Sequence, residues 1–119
     1  MSHLINATPH QIVLLNSLKE GILVLEPSGI LPRCAVKVEK LPSLMVSLEQ
    51  SDDVLEIPIS QSILGDVVGL PEKQNNTYFI VSLVVAQKAK EYGRDDLLVP
   101  DAVRNEKGDI VGCKGFLKP

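Results

Sequence analysis

The chain has no tryptophan, and aromatic residues make up only 3% of its 119 positions. An aromatic core is therefore excluded, and so are the stacking platforms on which single-stranded nucleic acids are usually held. Charge of one sign is also missing. Twelve Lys and Arg stand against fifteen Asp and Glu, a net charge of −3, with no basic cluster. That pattern argues against nucleic acid as a partner. Cysteine is scarce. Cys34 and Cys113 lie far apart and form no CxxC pair, which predicts two thiols rather than a disulfide framework or a zinc site. No apolar run is long either. Phe79 to Ala86, interrupted by Ser82, falls far short of the ~20 residues that span a bilayer. The opening residues lack a cationic, apolar leader. Together these features predict a cytoplasmic protein that uses neither membrane nor nucleic acid.

What the chain does have is aliphatic bulk. Hydrophobic residues form 45% of it, and eight prolines and eight glycines punctuate the apolar segments. Val and Ile lose little by adopting extended backbone, so this composition favours strands joined by many turns. Leu4-Ile5-Asn6, Ile12 to Leu15 and Ile22 to Leu25 read as short strands, the last two as a hairpin. Glu26-Pro27-Ser28-Gly29 is a turn. Ala35 to Leu41 alternates apolar and polar residues and predicts a half-solvated strand with one face on the core. Leu44 to Leu48 extends or partners it. Ser51-Asp52-Asp53 is a polar turn. Pro58 places Val54 to Ile59 at an edge or a bulge, because proline has no N–H for a ladder. Val67-Val68 reads as a further short strand.

The last third is the most legible. Tyr78 to Val81 predicts a central strand, and Ser82 an N-cap. Val85, Ala89 and Tyr92 then recur at helical spacing, with Gln87, Lys88, Lys90 and Glu91 on the polar side, until Gly93 stops the helix. Leu97 to Pro100 is a strand. Asn105 to Asp109, with Gly108 suited to positive φ, joins the arms of a C-terminal hairpin. The reading is a single domain over residues 1–119: a compact, mainly antiparallel β fold, barrel-like or sandwich-like, with one short helix near residues 82–92.

Few residues suggest chemistry. Arg94, Asp95, Asp96 and Asp101 form the one dense polar group at a structural junction. Carboxylates on a loop can bind a hard cation or work as acid and base. They can equally make a salt-bridged corner, and neighbouring Asp side chains on extended chain point opposite ways. His3 and His10 lack further ligands at zinc spacing. Ser82 has no G-x-S-x-G around it, so it does not read as a nucleophile. Gly65 to Gly69 lacks the lysine of a phosphate loop. Asn6-Ala7-Thr8 and Asn75-Asn76-Thr77 read as chance glycosylation acceptors. No cofactor, metal or catalytic residue is expected.

At Gly65 to Pro71, Tyr78 to Ser82, Arg94 to Asp101 and Val103 to Gly112, the chain resembles a family of small bacterial and phage-borne proteins without an assigned activity. The likeness spans about the second half. It implies no reaction and no catalytic residue, only that Arg94, Asp95 and Asp96 are a shared feature. The leading expectation is a non-enzymatic interaction or structural module that self-associates. The alternative is a protein binding a small ligand or divalent cation at Arg94, Asp95, Asp96 and Asp101.

Overall fold

The computed structural model describes residues 1–119 as mainly β, with one short helix. The elements are β1 (His3–Asn6), β2 (Ile12–Leu15), β3 (Gly21–Leu25), β4 (Arg33–Ser47), β5 (Val54–Val68), β6 (Thr77–Ile80), α1 (Leu83–Lys90), β7 (Leu97–Arg104) and β8 (Ile110–Leu117). They fall into two compact units. Residues 1–34 and 66–119 form one, and residues 35–65 form the other. No helix is long and apolar enough to cross a membrane.

The first unit is a six-stranded sheet in the order β1-β6-β7-β8-β2-β3. The β2–β3 and β7–β8 pairs are antiparallel hairpins, as their short connections require. The β1–β6, β6–β7 and β2–β8 pairs are parallel. A parallel neighbour needs a crossover, and the single helix supplies it between β6 and β7. β6 is apolar on both faces because both are covered. Phe79 and Val81 pack with Val85, Ala86 and Ala89 of α1 and with Leu97, while Ile80 packs with Ile12 and Cys113. Phe79, Ile80 and Val81 are fully buried, which makes this segment the centre of the core.

The helix starts and stops as its termini dictate. Ser82 Oγ accepts from Val85 N at 3.4 Å, satisfying a donor that the first turn leaves free. Lys88 and Lys90 sit in the last turn, where cations offset the helix dipole. Gly93 follows at φ 77°, a backbone that costs glycine little. The regular helix covers eight residues. Tyr92 lies beyond it, half exposed, and its hydroxyl donates to Asp66 Oδ1 at 3.3 Å.

Two asparagines build the tight loops. Asn16 Oδ1 accepts from Leu18 N and Glu20 N between β2 and β3. Asn105 Oδ1 accepts from Lys107 N and Asp109 N between β7 and β8. In both, a short side chain replaces part of the turn's missing backbone bonding. Gly112 marks the seam between β2 and β8. A Cβ there would lie 2.8 Å from Val13 O, so the seam admits no side chain.

The second unit differs from the expectation of a strand with one face on the core. Val36, Val38 and Leu44 are exposed, and no residue from 35 to 65 is buried. Leu44 to Ser47 continues β4 through Pro42, and Val67-Val68 is the end of β5, so each strand of this hairpin runs 15 residues. Alternation was read correctly as a strand. What it could not show is what covers the apolar side. A two-stranded hairpin leaves one edge of each strand unpaired, which is why Pro42 and Pro58 are tolerated inside long strands.

Candidate functional site

The structure separates the four residues of the Arg94–Asp101 corner. Arg94 and Asp96 form a bidentate pair, Nε to Oδ1 and Nη2 to Oδ2, both 2.8 Å. Asp96 is buried, and Arg94 is nearly so. Asp96 O also accepts from Phe79 N at 2.9 Å, so the pair fastens the helix exit to the central strand. The Asp96 carboxylate raises the Arg94 pKa above its ordinary value, mainly through these hydrogen bonds. Asp95 points elsewhere and bonds Lys73 on the exposed surface. That hydrogen bond, with the Lys73 charge, lowers the Asp95 pKa, while Asp95 raises that of Lys73. Their contribution is thus present between the ordinary carboxylate and ammonium ranges. It is lost as pH falls through the lowered Asp95 value or rises through the raised Lys73 value. Asp101 lies on β7, 3.8 Å from Lys114 Nζ.

Beside the corner is a small polar recess of about 160 Å³, lined by Lys73, Asn76, Tyr78, Asp95, Asp96 and Lys118. It is below the ~300 Å³ of ordinary ligand sites, and neither Arg94 nor Asp101 lines it. No three of His, Cys, Asp and Glu come together as a metal would need.

A second cleft, in the sheet unit, is larger and of opposite character. Its volume is about 480 Å³, within the range of small-molecule sites. Ile12, Val81, Leu83, Val99 and Ile110 line it with Cys113 and His10, and no Asp, Glu, Lys or Arg does. The loop from Thr8 to Gln11 forms part of its wall.

That loop is held by Asn6 at the end of β1, which is only 3% exposed. Asn6 Nδ2 donates to His10 O (2.7 Å) and Leu25 O (3.0 Å). Asn6 Oδ1 accepts from Thr8 N (3.0 Å) and Thr8 Oγ1 (2.6 Å). Its carbonyl accepts from Ser28 N and Oγ. One side chain thereby shapes the cleft wall and ties the end of β1 to that of β3.

No protein-family model matches the chain, and no match was found among curated proteins or solved structures. The geometry alone therefore carries the functional argument.

The sequence reading missed this cleft, because its walls come from separate segments and no motif joins them. The signal was Asn6-Ala7-Thr8. The pair that imitates a glycosylation acceptor is here a side-chain turn. Cys113 offers a direct probe of the cleft. Neither cysteine is in a disulfide. Burial raises the Cys113 thiol pKa; the Gly115 backbone opposes the shift and Asp101 adds to it. Because the thiolate is the reactive form, iodoacetamide should modify Cys113 markedly more slowly in the native protein than in urea, as read by peptide mass. Equal rates would mean that the cleft floor opens freely to solvent.

Proposed function

We propose that this chain is a non-enzymatic interaction module that self-associates, with the β4–β5 hairpin as its associating surface. One observation carries the reading: the hairpin has long strands and many aliphatic side chains, yet no residue from 35 to 65 is buried. An isolated two-stranded hairpin is marginally stable in water at best. Exposed apolar surface on this scale is the usual mark of an association site. The reading is also supported by Ser82, whose hydroxyl caps the helix, and by the Arg94–Asp96 pair, which serves the fold. The cytoplasmic setting is part of the same proposal and is supported by the buried Cys113 thiol, which is in no disulfide. A barrel-like form for the sheet unit is supported by the Asn6 link from β1 to β3.

Light-scattering mass on a sizing column tests the proposal, from low micromolar to near-millimolar protein. The expected mass is a whole multiple of 13.0 kDa at the upper end. A constant single-chain mass throughout would contradict it.

The largely apolar cleft favours a second reading, small-ligand binding there rather than at the Arg94–Asp101 corner, whose carboxylates each face a cation. A panel of uncharged hydrophobic compounds and divalent cations, read by thermal midpoint, separates the two locations. A rise with the former supports the cleft, and a rise with the latter alone supports the corner.

A further inference from the structure

We propose that the hairpin's partner is the same hairpin of a second copy, stacked apolar face on apolar face about a two-fold axis and not joined edge to edge. The inference rests on the self-association reading and specifies its geometry.

Alternation along β4 puts Val36, Val38, Leu44 and Val46 on one face, and alternation along β5 groups Leu55, Ile57, Ile59 and Ile63. Leu48 N donates to Asp53 O at 3.3 Å, which sets the register at the turn. Val46 then lies opposite Leu55, and Leu44 opposite Ile57, so near the turn the two apolar rows share one face. Of the charged residues, β4 places only Lys40 with its apolar row, while Lys37 and Glu39 lie in the other row. A lysine can lay its stem along apolar surface and keep its ammonium in water.

Length sets the area. The strand residues within 35–65, about 12 per strand at ~3.3 Å each and two strands about 10 Å wide, present a face of roughly 400 Å². Two such faces bury about 800 Å², the size of a weak, concentration-dependent interface. Edges are poorer surfaces. Pro42 and Pro58 leave one residue without an N–H in each strand, and proline on an edge is a standard obstacle to pairing with another chain. A self-complementary face closes into a dimer, whereas an unlike pairing would propagate.

Two double variants of the full chain test the geometry. Leu44 and Leu55 belong to the apolar face and are 53% and 51% exposed. Met45 and Val54 belong to the opposite face and are 59% and 58% exposed. Leu44→Glu with Leu55→Glu should weaken dimerisation about 100-fold or more by sedimentation equilibrium, as loss of two anchors from the shared apolar rows does. Met45→Glu with Val54→Glu should change it only a few-fold. Neither pair contributes to the buried core, so hydrogen-exchange protection of β6 and β7 should be unchanged in both and certifies folding of the sheet unit. Equal weakening by both pairs, or none from the Leu44 and Leu55 pair, would overturn the face-to-face geometry while self-association stood. A wild-type chain monomeric at every concentration would overturn self-association itself.

Discussion

Asn6→Ala should lower the thermal midpoint by roughly 8–16 °C, a loss of about 2–4 kcal/mol. The size follows from what Asn6 does. Its amide satisfies two backbone carbonyls, His10 O and Leu25 O, and its Oδ1 holds Thr8 through two further bonds. Each bond contributes modestly on balance, but a buried carbonyl left without a donor costs its full desolvation. Alanine takes the Asn6 donor from Leu25 O and leaves His10 O with Thr8 Oγ1 alone, at 3.1 Å. Asn6→Asp is the sharper control. It keeps the size and the Oδ1 acceptor, yet aims a carboxylate oxygen at two carbonyls that need donors. It should therefore be no more stable than the alanine variant at neutral pH and should recover in part on acidification, when the carboxyl can donate again. The cleft should report the same event, with Cys113 alkylating faster in both variants. If either variant melted like wild type, Asn6 would not be the fastening described.

Asp96→Ala should cost about 2–3 kcal/mol, because it removes both hydrogen bonds to the partly buried Arg94 guanidinium and leaves only the Asp95 charge near it. Arg94→Ala should be of similar size, with Asp96 as the stranded charge. The double variant should lose well short of the sum, since the second substitution removes the charge that the first stranded. The pH dependence has a definite sign. Arg94 has a raised pKa, so its share is present below the ordinary arginine range and would be lost only as pH rose through the still higher folded value. Arginine therefore stays charged throughout the working range. Asp95→Asn provides the contrast. Its pair with Lys73 is exposed on both sides, and such pairs are worth little and are screened by salt. Its melting point should stay within a degree or two of wild type. A large loss at Asp95 and a small one at Asp96 would reverse the assignment of roles.

These neighbouring aspartates show how far sequence reaches. That neighbouring side chains diverge is the expectation for extended chain, and the loop before β7 separates these two as well. That Asp96 points inward, to a partner two residues back, depends on the β6 backbone beside it. The passage from Tyr78 to Gly93 was legible because the hydrophobic period changes at Ser82 and both helix ends carry cap residues. The two hairpin loops were legible from local turn chemistry. The order of the sheet was not. β2 lies between β3 and β8, and β6 between β1 and β7, through contacts that no local pattern encodes. The β4–β5 hairpin was half legible. Its alternation gave strands, and Pro58 suggested an edge or a bulge. Alternation distinguishes two faces without saying whether a core or another molecule covers the apolar one. Pro42 left open whether Leu44 to Leu48 extends the first strand, and Val67-Val68 reads as a strand apart from Val54 to Ile59, where the chain has two continuous strands.

The central claim is that residues 35–65 owe their order to association. Hydrogen exchange of their backbone amides, followed by mass spectrometry at several protein concentrations, tests it most directly. The account predicts that protection of β4 and β5 rises with concentration, while that of β6 and β7 stays fixed by their own buried core. Hairpin protection that is equally high at every concentration, in a chain of single-copy mass, would contradict it.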